Sequence, residues 1–296
     1  MIWTQWRDLK FPSSLEICET NGELPAERDL EDISFYVPKY MSGATGLEPI
    51  TKMPSLKVIQ SLNAGVDDVL KLLPKGVILC NAAGVHDAST SELAVGLSIA
   101  SRRGFKDFIL NQEIGSWSHS QFYSLTDSRV GIIGSGNIGK KIAQLLEHFE
   151  VDITFFNRSG HDGGVAITEL AAHLPNLDVV ILVVPLTDHT RGLMNLEMLR
   201  KMKKGATLVN VARGPVVDTS ALIQVLNEGH ISAALDVTDP EPLPADHPLW
   251  KAPNCIISPH VGGDSQAFDR RGRALVESQL ARYAAGQELK NIITSG

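Results

Sequence analysis

Three polar residues follow three apolar runs in the second half of the chain, and together they suit one kind of chemistry. Arg213 lies in Asn210-Val211-Ala212-Arg213-Gly214, Glu241 in Asp236-Val237-Thr238-Asp239-Pro240-Glu241-Pro242, and His260 in Ser258-Pro259-His260-Val261-Gly262-Gly263. An arginine can hold a carboxylate through paired hydrogen bonds and polarise the carbonyl beside it. A histidine can give a proton to that carbonyl oxygen as hydride arrives at carbon, and take it back in the reverse direction. A glutamate can hydrogen-bond the imidazole, orient it and stabilise its charged form. The set therefore suits hydride transfer to a 2-oxo acid, with Arg213 and His260 also contacting the substrate. Singly, each residue fits a surface ion pair, a loop carboxylate or a satisfied histidine equally well. Their shared place beyond strand ends favours the chemical reading.

The elements that must position them are organised around Arg129-Val130-Gly131-Ile132-Ile133-Gly134-Ser135-Gly136-Asn137-Ile138-Gly139-Lys140. Val130 to Ile133 read as a buried strand, and Ile138, Ile142, Leu145, Leu146 and Phe149 recur at helical spacing. Gly134, Gly136 and Gly139 between them have the spacing of a dinucleotide-binding turn. The first glycine allows the turn, the second lets a pyrophosphate approach the backbone, and the third lets helix and strand pack closely. The N–H groups at the helix start, at Asn137 and Ile138, then face the phosphates.

A second strand, Asp152 to Phe156, ends in Asn157-Arg158-Ser159, 18 positions past Gly139. An NAD-selective site places an acid near this point to bind the ribose 2′-hydroxyl. Here the acid is missing, and Arg158 with Asn157 and Ser159 can hold a 2′-phosphate instead. NADP(H) is the expected cofactor, with NAD(H) as the second choice. A solvated surface arginine is the plain alternative for Arg158.

The 296 residues leave room for about two domains. A hydrophobic content of 43 % suits a buried core, and no run is long and apolar enough to span a membrane. The net charge of −7 with no long basic run argues against general nucleic-acid binding. Cys18, Cys80 and Cys255 are scattered, so neither a disulfide framework nor a metal site is expected. The opening residues lack a signal-peptide layout, and a cytoplasmic protein is expected.

The first part of the chain reads as a small α/β domain with strands at Leu15–Cys18, Ile33–Val37, Leu56–Gln60 and Val77–Asn81. The loop Ser61 to Asp68 leads toward a helix carrying Val69, Leu70, Leu72 and Leu73. Ala64 and Gly65 in it are small enough to offer backbone N–H groups to a substrate carboxylate. An ordinary strand–helix connection fits the same spacing. Ser89 and Glu92 fit a capping box opening a crossover helix with Leu93, Ala94, Leu97 and Ile99. Trp117, Phe122 and Tyr123 follow in an irregular stretch, suited to plain packing, an active-site cap or a subunit interface. Six strands are expected in the second domain: Val130–Ile133, Asp152–Phe156, Val179–Val184, Ala206–Asn210, Ile231–Asp236 and Cys255–Ser258. Asp218 should cap a helix over 219–227. A last helix with Leu275, Val276, Leu280 and Tyr283 returns to the first domain. The boundaries are thus 1–92 with 266–296 for the substrate domain, and 93–265 for the dinucleotide domain.

These motifs, with Pro185-Leu186-Thr187-Asp188-His189-Thr190, Val209 to Asp218 and Ala233 to Pro244, resemble the D-isomer-specific 2-hydroxyacid dehydrogenase family over nearly the whole chain. The resemblance implies a Rossmann-type doubly wound parallel sheet beside a smaller flavodoxin-like α/β domain. It implies that Arg213, Glu241 and His260 are catalytic, that Asp236 contacts the nicotinamide amide, and that Ala64 and Gly65 bind the substrate carboxylate. Val184, Pro185, Thr190, Val211 and Gly262 complete the cofactor set it implies. Family members are typically homodimers joined through their cofactor domains.

Glutamate at 241, where formate dehydrogenases of the superfamily have glutamine, disfavours formate as substrate. Long phosphoglycerate dehydrogenases add a C-terminal regulatory domain, which is not expected here because the chain stops soon after its last helix. The Asn63 to Asp67 loop and Arg158 look closest to short glyoxylate/hydroxypyruvate reductases, while His86 stands where relatives often have asparagine. The alternatives are a phosphoglycerate- or phosphonate-type dehydrogenase of the same family, and a dinucleotide-sensing corepressor-like binding protein.

Overall fold

The computed structural model describes residues 1–18, 23–24, 27–66, 69–161 and 163–294. The chain forms two units, Met1–His86 with Gln266–Gly296, and Asp87–Ser265. In chain order the first contributes β1 (Ile2–Trp3), α1 (Glu27–Leu30), β2 (Phe35–Tyr36), β3 (Val58–Gln60) and β4 (Ile78–Cys80). The second contributes α2 (Asp87–Arg102), α3 (Phe105–Glu113), β5 (Arg129–Ile133), α4 (Asn137–Leu146), β6 (Asp152–Asn157) and β7 (Val165–Ala166). It continues with α5 (Leu170–His173), β8 (Val179–Leu182), α6 (Leu196–Lys201), β9 (Thr207–Asn210), α7 (Thr219–Asn227), β10 (Ser232–Leu235) and β11 (Cys255–Ile257). The chain then returns to the first unit with α8 (Ala267–Ala284) and β12 (Ile292–Thr294). The crossover helix α2 lies whole in the second unit from Asp87, where the sequence had placed a boundary at 92/93.

The sheet of the second unit runs β11-β10-β9-β8-β5-β6-β7, all parallel. This is the doubly wound order, with the reversal between β5 and β8 and the glycine turn at its carboxyl edge. Central strands β8 and β9 are buried at every residue, as a sheet covered on both faces requires. Two apolar layers flank it. Leu182, Leu208, Leu222 and Val225 belong to one, and Ile132, Ile142, Val179 and Val209 to the other.

The smaller sheet runs β1-β2-β3-β4-β12, parallel except for the last pair. The expected strand Leu15–Cys18 is a single parallel bridge, Ile17 to Ile2. Counting it, the order is that of a flavodoxin-like sheet. The expected helix after residue 68 is one tight turn, Leu70–Leu72. Pro74 follows at once, and a proline drives the residue before it out of helical geometry. Asp67 and Asp68 of the preceding loop lie outside the described residues. Ser89 falls inside the first turn of α2 and does not cap it. Asp87 opens that helix, its carboxylate at the positive end of the dipole. Asp218 does cap α7, its Oδ1 accepting from the Ala221 N–H at 3.0 Å. Among the described residues no helix is long and apolar enough to cross a membrane.

Asp178, just before β8, ties the amino edge of the large sheet together. Its Oδ2 accepts from the Arg129 N–H at 3.0 Å and its Oδ1 meets Lys203 Nζ at 2.7 Å. Burial pushes this carboxyl up, but the hydrogen bonds from Arg129 and Lys203 outweigh it and hold the group below 3.8. A carboxyl lowered in the folded state stabilises above its unfolded value and loses that contribution as pH falls through the folded one. Asp178→Asn should therefore cost about 1–3 kcal/mol at neutral pH. Thermal melts should show the gap to wild type closing below pH 3.8; a gap independent of pH would refute the linkage.

Candidate active site

The parallel strands bring the loops after β5, β9, β10 and β11 to one edge of one sheet. Each loop is shaped by a polar side chain at a strand end. Asn210, fully buried, accepts from the Ala212 N–H at 3.0 Å and donates to the Arg213 carbonyl at 3.0 Å. Arg213 Nη1 turns back on the Ala212 carbonyl at 2.8 Å. Gly214 next to it allows no side chain, because a Cβ would stand 1.8 Å from the Thr238 carbonyl. Without that close approach the Arg213 loop could not lie against the loop after β10.

Asp236 plays the same part for the histidine loop. It is 3 % exposed, and its Oδ1 accepts from Ser258 Oγ at 2.7 Å and the Val261 N–H at 2.9 Å. Its Oδ2 accepts from the Gly262 N–H at 2.9 Å. Three donors around one buried carboxylate hold His260 at φ 54°, a left-handed conformation that non-glycine residues seldom adopt. The His260 N–H also donates to the Asp236 carbonyl at 2.8 Å. Ser258 escaped the sequence reading; its signal was a hydroxyl two residues before the histidine.

His260 Nδ1 meets Glu241 Oε1 at 2.5 Å. Both side chains remain about a third open to solvent, at 32 % and 39 %. Partial burial raises the Glu241 carboxyl, but the His260 hydrogen bond and charge, with help from Arg213, bring it below 4.5. Glu241 is thus an ionised acceptor that fixes the imidazole by Nδ1 and leaves Nε2 for another partner. All three expected catalytic side chains stand at one carboxyl edge.

The residues after β5 fit a dinucleotide. Gly134 has φ 118°, closed to side chains, and a Cβ at Gly139 would stand 2.1 Å from the Gly134 carbonyl. A Cβ at Gly136 would meet nothing within 4 Å. The three glycines therefore serve turn, close packing and open approach separately. No side chain caps α4, and the N–H groups of Asn137 and Ile138 donate to no acceptor among the described residues. Such a helix start receives phosphate oxygens.

At the end of β6 the Asn157 carboxamide is engaged in its own turn. Its Oδ1 accepts from Ser159 and Gly160 N–H groups at 3.2 and 2.7 Å, and its Nδ2 donates to the His161 carbonyl at 2.8 Å. Arg158 and Ser159 are exposed beside it. Thr190 closes the turn after β8, donating to the Pro185 carbonyl at 2.7 Å, and Val184 packs on the apolar layer below. Val211 is buried in the opposite layer. Gly262 is pressed on Asp236, where a Cβ would stand 2.8 Å from Oδ2. In the first unit, the N–H groups of Ala64 and Gly65 donate to no acceptor among the described residues. Among those residues no group of His, Cys, Asp and Glu could hold a metal ion.

Comparison with known proteins defines the family. The profile of the D-isomer specific 2-hydroxyacid dehydrogenase NAD-binding domain matches residues 95–262. A glyoxylate reductase of Thermofilum pendens is 35 % identical over 255 residues, covering 81 % of this chain and 75 % of its own. The human glyoxylate reductase/hydroxypyruvate reductase is 36 % identical over 252 residues, covering 79 % and 76 %. Among solved structures, the NADPH-dependent glyoxylate/hydroxypyruvate reductase of Sinorhizobium meliloti, in complex with NADP and sulfate, superposes with a TM-score of 0.79. It shares 27 % identity, with 91 % of this chain and 87 % of that one covered. The chain belongs to the D-isomer specific 2-hydroxyacid dehydrogenase family. It is an NAD(P)-dependent oxidoreductase.

The glycine geometry makes a separable prediction. Gly136→Val should keep the melting temperature of the wild type and weaken dinucleotide binding by about tenfold or more, an effect of about 1.4 kcal/mol. Gly139→Ala should lower the melting temperature as well, since its methyl meets backbone. Calorimetric binding and thermal melts on both variants check the distinction.

Proposed function

We propose that the protein is an NADPH-preferring reductase of small 2-oxo acids of the glyoxylate and hydroxypyruvate type, yielding D-2-hydroxy acids. The observation that carries the reading is the His260–Glu241 contact at 2.5 Å on the sheet edge that also bears Arg213 and the glycine turn. A dinucleotide held by its pyrophosphate at that turn would supply the hydride from its reduced nicotinamide. Arg213 holds the substrate carboxylate and draws charge toward the carbonyl oxygen. His260 gives that oxygen a proton from Nε2, while Glu241 keeps Nδ1 protonated and the ring in place. Asp236 contacts the nicotinamide amide with the acceptor capacity its three donors leave. Gly134, Gly136, Asn137, Ile138, Val184, Pro185, Thr190, Val211 and Gly262 surround the cofactor. The Ala64 and Gly65 N–H groups take the substrate carboxylate.

Preference for NADPH rests on Arg158, exposed at the ribose end of the site with no carboxylate at the end of β6 to repel a 2′-phosphate. The relatives named glyoxylate reductase support the substrate class. A cytoplasmic homodimer joined through the cofactor domain accounts for the outward face of α3 and the segment after it. Ile109 is 60 % exposed, Ile114 77 % and Trp117 98 %, an apolar surface that a second copy would cover.

His260→Ala should lower kcat for glyoxylate by about 10²–10⁴ with NADPH affinity unchanged. Unaltered turnover would overturn the proposed mechanism. Arg158→Ala should weaken NADPH about tenfold, the worth of one charge-assisted contact, and leave NADH as it was. Equal loss for both dinucleotides would refute the phosphate role.

A further inference from the structure

Three consecutive carbonyls of the loop after β3 are turned toward one stretch of chain. The Leu62 carbonyl accepts from His86 Nε2 at 2.8 Å, the Asn63 carbonyl from the Ala82 N–H at 3.0 Å, and the Ala64 carbonyl from Asn81 Nδ2 at 2.6 Å. These peptide bonds are trans, so each pinned carbonyl sends the next residue's N–H the opposite way. The Asn63 N–H is taken by Ser61 Oγ at 3.1 Å. The N–H groups of Ala64 and Gly65 donate to no acceptor among the described residues. The loop thus turns its carbonyls to 81–86 and presents two open donors on its other face.

The pinning groups are themselves held. Asn81 Oδ1 accepts from the Ala83 N–H at 3.1 Å, and the Asn81 carbonyl accepts from Gln60 Nε2 at 3.0 Å. Gln60 Oε1 in turn accepts from Gln279 Nε2 at 2.7 Å, with both glutamines fully buried. His86 is buried and stacks against Tyr40 and Phe268, with ring centroids 5.3 and 5.5 Å away. Its Nε2 must carry hydrogen to serve a carbonyl, which fixes its role as a donor.

We propose that Asn81 and His86 are positioning residues for the substrate carboxylate. Asn81 sets the direction of the Gly65 N–H by holding the Ala64 carbonyl, while His86 holds the Leu62 carbonyl and so fixes the chain entering the Asn63–Ala64 peptide, whose carbonyl the Ala82 N–H holds; neither side chain touches substrate. The proposal rests on reading those N–H groups as carboxylate donors. Without Asn81 the Ala64 carbonyl lacks its donor and the Ala64–Gly65 plane is free to turn, taking the Gly65 N–H with it; without His86 the buried Leu62 carbonyl lacks its donor and the chain leading into the Asn63–Ala64 plane is released. The damage should fall on binding of the charged end and spare hydride transfer.

The test compares Asn81→Asp, His86→Phe and His86→Gln with the wild type. Phenylalanine keeps the ring stack and loses the donor; glutamine keeps a donor and loses the ring. With NADPH, N81D and H86F should raise the KM for glyoxylate about tenfold with kcat within about twofold, while H86Q stays near wild type. Methylglyoxal, which has an uncharged acetyl group in place of the carboxylate, should show no such rise. A KM that follows the ring and not the donor, or an equal loss on methylglyoxal, overturns the proposal. Should N81D not fold, Asn81→Ala, which also removes the amide donor, takes its place beside the His86 pair. The Gly65 amide resonance under oxamate titration separates the two layers of the argument. No movement in the wild type refutes the carboxylate reading itself. Movement with the same half-saturation in wild type and N81D overturns the positioning role alone.

Discussion

The site depends above all on one buried carboxylate. Asp236 lies at the end of β10 with almost no contact with water, and a charge so placed must be met by donors or be neutralised. Those donors come from the loop after the neighbouring strand: one hydroxyl and two backbone N–H groups. Satisfying the charge and shaping the loop are therefore the same event. His260 sits in a left-handed conformation that would relax if the loop were free, and the carboxylate prevents it.

The device recurs with neutral groups. Asn210 holds the backbone around Arg213, and Asn81 holds the backbone at Ala64. In each case a parallel strand ends on an amide or acid that finds its partners in a loop. Strand ends in such a sheet leave backbone groups unpaired, and a short polar side chain there satisfies them while fixing where the next residues go. Rigid loops at a carboxyl edge follow from the chemistry of the edge itself.

This explains what was legible in the sequence. The glycine turn could be read because each of its three positions is dictated locally, by a backbone angle, a close approach or an open space. Arg213, Glu241 and His260 could be placed because parallel strands put all following loops on one side. The long apolar runs of β8 and β9 marked a covered sheet. What escaped was either short or long-range. Strands of two residues such as β1 and β7 have no period to detect. Helix α3 buries none of its residues, so no inward stripe announced it. Asn81 and Ala64 are 17 residues apart, and nothing local in either segment announces their bond. Asn157 was read as a contact for the cofactor, whereas its carboxamide closes a turn of its own.

The fold at the end of β6 is maintained by Asn157, and the charge presented to solvent there is carried by the residue after it. Framework and charge are separate side chains. Under the phosphate role proposed for Arg158, a substitution at that position would change which reductant a descendant draws on while the turn, the sheet and the His260–Glu241 pair stay as they are.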